Sequence, residues 1–108
     1  MAKNDLQGAL DLLILKSLSQ LGAMHGYGIA MHIEDVSDAL LTVEEGSLYP
    51  ALHRMEEAGL IRAEWVTKDS GRRARTYELT AKGKKQLASE SPRWQAVARA
   101  VNRVLREA

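Results

Sequence analysis

The sequence contains no cysteine and no phenylalanine. The first absence excludes a disulfide framework, thiolate zinc sites and a cysteine nucleophile. The second, with aromatic residues at only 5% of the chain, leaves core building to aliphatic side chains. Proline is scarce too, at positions 50 and 92 alone. No apolar run reaches the ~18 residues that a membrane-spanning helix requires. The first residues, Met1-Ala2-Lys3-Asn4-Asp5, lack the basic and apolar regions of a secretory leader, and Asp11 interrupts the leucines that follow. The expectation is a cytoplasmic protein that does not engage a membrane.

What remains is one domain's worth of chain. The 108 residues are 45% hydrophobic and 27% charged, a globular balance. Net charge is only +1, but it is unevenly distributed. Residues 34–61 hold seven acids against one base, Arg54, whereas residues 62–86 hold eight bases against three acids. Such a basic block is either a solvated surface or the footprint of a polyanion.

Apolar periodicity supplies the elements. Leu6, Leu10, Leu13, Ile14, Leu18 and Leu21 recur at helical spacing, and Gly22 is placed to end the helix. A second helix is predicted from about Gly26 to Ser37, with Ile29, Ile33 and Val36 as its stripe. Small residues at its start suggest close backbone packing. A third covers roughly 45–58, with Leu48, Leu52 and Met55 inward. Pro50 is tolerated best in a first turn, which puts the start of regular helix near Gly46 or Ser47. Gly59-Leu60 then has the form of a Schellman stop. Ile61, Ala63 and Trp65 alternate with Arg62 and Glu64 as in a half-buried strand. Lys68–Arg73 is a turn, and Arg75–Leu79 the returning strand. Thr80 can cap a final helix reaching about Arg106. Its stripe of Leu87, Trp94, Val97, Val101, Val104 and Ala108 falls near heptad a and d positions. Pro92 is expected to interrupt or kink it.

Three helices, a basic hairpin and a long last helix give a mainly α fold with a small β-hairpin. The order is that of a winged helix-turn-helix (residues 1–80) followed by a dimerisation helix (residues 81–108). One helix fits the major groove, and a hairpin beside it reaches the adjoining backbone or minor groove. The candidate DNA-binding residues on the third helix are Ser47, Tyr49, His53 and Arg54. Those on the hairpin are Lys68, Arg72, Arg73 and Arg75. For Tyr49 and His53 the alternative is ordinary packing or surface; for the hairpin it is a solubilising turn. Glu44, Glu45, Glu56 and Glu57 work against a uniformly basic reading surface, so phosphate affinity would fall mainly to the wing and the start of the last helix.

The motifs Leu6-Gln7-Gly8-Ala9-Leu10, His25-Gly26-Tyr27-Gly28-Ile29, Glu45-Gly46-Ser47-Leu48-Tyr49-Pro50-Ala51-Leu52-His53-Arg54 and Leu79-Thr80-Ala81-Lys82-Gly83, with the wing Arg72-Arg73-Ala74-Arg75-Thr76-Tyr77, extend over nearly the whole chain. Together they resemble PadR-type transcriptional regulators, and more closely the short subgroup with a single C-terminal helix. The resemblance implies a homodimer that binds an inverted repeat in double-stranded DNA, usually as a repressor. It implies that the third helix reads the major groove and that Trp94, Val97 and Val101 are dimer contacts; the heptad stripe adds Leu87 and Val104. Some relatives bind planar aromatic compounds near the dimer interface. Trp94 is therefore the candidate residue for a small aromatic effector, its alternative being plain interface packing.

Enzymatic chemistry is not expected. His25, His32 and His53 have no metal-ligand spacing, no phosphate loop or nucleophile motif is present, and no cofactor is implied. The rival reading is a winged-helix module that binds protein rather than DNA.

Overall fold

The computed structural model describes residues 4–107, with side chains from residue 8 onward. Leu6 and Ala108, both assigned above to apolar stripes, lie outside the described side chains.

Helix α1 (Asn4–Leu21) runs through the centre of the fold and packs on α2, α3, β3 and α4. A helix surrounded in this way buries more than one narrow stripe. Ile14, Leu15 and Leu18 are fully buried, while Leu10 and Leu13 pack at the edge of the core. Leu21, expected inside, is exposed at the last turn, and Leu15 replaces it in the core. Gly22 follows with φ +78°, the left-handed conformation a helix stop requires.

Strand β1 is only Met24–His25, too short for any alternation to announce it. Helix α2 (Gly26–Val36) buries Ile29 and Ile33. Val36, expected on the same stripe, is exposed because it is the final residue and lies past the core's edge.

Helix α3 (Glu45–Glu57) buries Leu48, Ala51, Leu52 and Met55. It begins at Glu45, ahead of the expected start, so Pro50 stands in its second turn rather than its first. The Gly46 carbonyl consequently loses its helical donor, and Gly46 is exposed where water can serve instead. The helix ends as expected. Gly59 N–H donates to the Glu56 carbonyl and Leu60 N–H to the Met55 carbonyl, both at 3.0 Å, with Gly59 at φ +78°.

Strands β2 (Ile61–Thr67) and β3 (Arg73–Leu79) form the hairpin, and β1 adds to the far side of β3, giving the antiparallel order β1-β3-β2. Strand β3 begins two residues earlier than the alternation suggested. The register pairs Ile61 with Leu79, Ala63 with Tyr77 and Trp65 with Arg75. Side chains on that face meet the core near Ile61 and Tyr77, then run beyond it toward the tip.

Helix α4 (Ala81–Arg106) is continuous over 26 residues, so Pro92 neither interrupts it nor starts a new segment at Ser91. The carbonyl deprived of a donor is that of Ala88, an exposed residue that water can reach. The Thr80 side chain caps the helix by accepting from Gly83 N–H at 3.1 Å. Gly83 is buried against the Leu60 carbonyl, and Leu87 packs on the chain's own core. Beyond Leu87 the helix projects, and the molecule measures 59 × 28 × 23 Å.

Candidate nucleic-acid interface

Burying Leu48, Leu52 and Met55 turns the opposite side of α3 outward. Ser47 is exposed in its first turn, Tyr49 is partly exposed, and His53 is well exposed with Nε2 2.6 Å from Glu57 Oε1. Arg54 turns toward α1, where its Nη2 lies 2.6 Å from Asp11 Oδ1. Burial raises the Asp11 carboxyl above its usual pKa, against the opposing pull of that guanidinium.

The wing divides into two kinds of cation. Arg75 is partly buried and reaches Glu56 on α3. Lys68, Arg72 and Arg73 are exposed, and none forms an ion pair among the described residues. The tip that carries them is closed by a Lys68 N–H bond to the Arg72 carbonyl at 2.8 Å, with Gly71 at φ +83°. Arg62, on the other face of β2, is paired with Glu78.

Trp65 is not half-buried as the alternation implied; it is 56% exposed. It points to the core side of the hairpin, at a level where the core has ended. Arg73 Cζ stands 4.9 Å and Arg75 Cζ 5.7 Å from its ring centre, so the indole is covered by guanidinium groups rather than by aliphatic packing. Arg75 also lies 6.0 Å from the Tyr77 ring. Burial holds the Tyr77 phenol above its usual pKa, and the nearby Arg75 opposes that.

These side chains wall a cleft of about 450 Å³ between the start of α2, Tyr49 of α3 and the root of the wing. Tyr27 forms its other rim. Its floor is Gly26 and Gly28. A Cβ at Gly26 would sit 2.9 Å from Tyr49 Cε1, so the glycine is what admits the tyrosine ring. Neither Trp65 nor Tyr27 was a candidate from sequence. The available signal was the strand pairing, which puts Trp65, Arg73 and Arg75 on one face.

On α4 the dimer candidates lie along the projecting portion. Val97 is partly buried, Trp94 is 37% exposed, and Val101 and Val104 are open to solvent, as is Leu105. Leu87 is the exception, being packed within its own chain.

A family model described as the transcriptional regulator PadR-like family matches residues 14–89, from the core of α1 through the wing to the first turns of α4. The chain belongs to the PadR-like family of transcriptional regulators. Members of this family regulate transcription by binding DNA and are not enzymes. The structure is similar to a PadR-like transcriptional regulator from Bacillus cereus at TM-score 0.77 and 31% identity, over 95% of this chain and 97% of that one. It is also similar to a PadR family regulator from Clostridium difficile (TM-score 0.73, 31% identity, 89% of this chain and 97% of that one). A transcriptional regulator from Clostridium thermocellum aligns at TM-score 0.81 with 26% identity, over 95% and 96% of the two chains. Each aligned neighbour is a winged-helix regulator in the PadR manner, so the mainly α fold with a small sheet is the fold of the family. Among the described residues, no helix is long and apolar enough to cross a membrane.

Proposed function

We propose that the chain is a homodimeric, sequence-specific repressor that binds an inverted repeat in double-stranded DNA. The observation that carries this reading is the exposed cluster of Lys68, Arg72 and Arg73 without carboxylate partners among the described residues, set beside the outward face of α3. Unpaired cations grouped at a hairpin tip are what phosphate contact requires. In this reading Ser47, Tyr49 and His53 face the major groove, and the wing binds the backbone. Arg54 and Arg75 contribute chiefly by fixing α3 to α1 and to the wing, since each already engages a carboxylate.

The dimer follows from the projecting part of α4. Trp94, Val97, Val101 and Val104 have too little of their own chain to pack against, and a second copy related by a two-fold axis would cover them. Two-fold symmetry then places the recognition helices one DNA turn, ~34 Å, or a multiple of it apart. A small aromatic effector beside Trp94 fits the same interface. The rival protein-binding reading calls for an apolar wing, whereas the tip here reads Lys68-Asp69-Ser70-Gly71-Arg72-Arg73.

In vitro selection of bound duplexes with the purified chain tests the proposal. The expected result is a palindromic consensus whose affinity falls steeply with salt. Replacing Lys68 and Arg72 together by alanine should make the slope of log K against log[salt] shallower by up to ~1.8, at ~0.9 per phosphate contact. Failure to enrich any duplex, or salt-independent binding, would remove the DNA function.

A further inference from the structure

We propose that the cleft between the start of α2 and the root of the wing seats one sugar–phosphate unit of the DNA backbone, with Trp65 and Tyr27 as contact residues. This rests on the DNA-binding reading above and deepens it.

Four of the chain's five aromatic residues line this one cleft: Tyr27, Tyr49, Trp65 and Tyr77. Only Tyr77 serves the core. Tyr27, at 67% exposure, and Trp65 leave large apolar faces to water, an unfavourable arrangement that a bound partner would relieve. In a chain this poor in aromatics, their collection on one concave surface is not a by-product of packing.

The charge around them has one sign. Lys68, Arg73 and Arg75 line the cleft and no carboxylate does. A guanidinium lying over an indole keeps its N–H edge free, so Arg73 is held in place with donors still directed outward. The floor adds a smaller contribution of the same sign, because α2 begins there without a side-chain cap. Aromatic rims for a deoxyribose, with cations for the adjoining phosphate, match the two halves of a backbone unit. The position matches as well. Tyr49 belongs to the helix assigned to the major groove and Arg73 to the hairpin beside it, so the strand running between them must cross this cleft. A small free ligand fits less well, since such ligands are mostly enclosed, whereas this cleft is an open trough.

The test uses the full chain and a selected duplex. Trp65→Leu and Tyr27→Leu should each weaken binding roughly three- to tenfold, with the salt slope unchanged because neither residue carries charge. Trp65→Phe should retain most of the affinity. Arg73→Ala should weaken binding and reduce the slope by ~0.9. A scan of single methylphosphonate linkages should find one position per half-site where neutralising the phosphate weakens wild type but affects Arg73→Ala much less. The scan leaves Trp65 intact, so it decides the matter even if Trp65→Leu fails to fold. Wild-type affinity in Trp65→Leu overturns the proposal while leaving DNA binding in place. So does a loss accompanied by a shallower slope, or the absence of a coupled phosphate. Benzoate binding in calorimetry that Trp65→Leu abolishes, with duplex affinity unchanged, overturns it in favour of a small aromatic anion. A wild-type chain that binds no duplex at low salt overturns both readings.

Discussion

Arg75 Nη2 lies 2.8 Å from Glu56 Oε2 and 3.1 Å from Oε1, so one guanidinium of the wing is tied to the carboxylate of the recognition helix. The pair sets the angle between the two elements proposed to hold DNA. It also places a negative charge beside a surface that must attract phosphate. Stability and affinity should therefore respond in opposite directions when the charge is removed. Glu56→Gln is expected to lower stability by about 0.5–1 kcal/mol, the scale of a partly exposed ion pair. It should tighten binding to bulk DNA several-fold by releasing Arg75 toward the backbone. Urea melts and a salt-controlled binding titration measure the two effects. Weaker binding together with lower stability would mean that the pair's geometry matters more than its charge.

Gly83 offers a sharper stability test. It is buried in the first turn of α4, directly against the Leu60 carbonyl, and a Cβ there would also lie 2.7 Å from Leu79 Cδ1. A backbone carbonyl fixed by the Schellman turn cannot move aside as a flexible side chain could. Gly83→Ala should gain helix propensity and still lose about 2–3 kcal/mol or more through overpacking. Gly46, where an added methyl would meet nothing within 4 Å, is the control: Gly46→Ala should be neutral or mildly stabilising. A thermal melt of the two variants distinguishes a contact effect from a propensity effect.

How far the sequence discloses this fold depends on the length of each signal. Helices α1, α3 and α4 carry several turns of apolar spacing, and the stops of α1 and α3 at Gly22 and Gly59 are chemical as well as periodic, so they are legible. Strand β1 has two residues and no period, and becomes a strand only because β3 is there to pair with it. Pro92 is misleading because local rules penalise it, while the exposed Ala88 carbonyl can be satisfied by water. Trp65 is misleading for another reason. Alternation gives its face correctly, but nothing local tells how far along a strand the core extends. The basic wing is visible as composition. That Arg75 and Arg54 are engaged by Glu56 and Asp11, while Lys68 and Arg72 are not, depends on contacts across 19 and 43 positions and so emerges only from the folded chain.

Asp11 should show an unusual pH dependence. Its folded-state pKa is raised, chiefly by burial, with Arg54 offsetting part of that. A raised carboxyl pKa means that the folded state favours the protonated form. Its contribution is then fully present below the unfolded value near 3.8 and declines as pH rises through the folded value. Most carboxylates in ion pairs behave in the reverse sense. The stability of wild type relative to Asp11→Asn should accordingly fall as pH increases from below 3.8 toward neutrality. Urea melts of both proteins across that range measure the difference, from which all other titrating groups largely cancel. A gap that widens with pH would show that Arg54 outweighs the cost of burial.

The proposed dimer depends on the projecting part of α4, and Val101 tests it with least damage to the monomer. Its side chain is 43% exposed and stands outside the buried core, so a charge there has little effect within one chain. At a two-fold seam, Val101→Asp would place like charges near each other and remove apolar contact from both copies. Sedimentation at micromolar concentration should show wild type as a dimer and Val101→Asp as a monomer with a normal thermal melt at low concentration. Operator affinity should then fall by more than one order of magnitude, because two tethered half-sites act through effective concentration and a single half-site cannot. Arg103→Ala, also exposed on α4 but outside the apolar stripe, should leave both mass and affinity unchanged. A Val101→Asp protein that still sediments as a dimer would shift the interface away from this face of α4, and the half-site spacing would have to be derived anew.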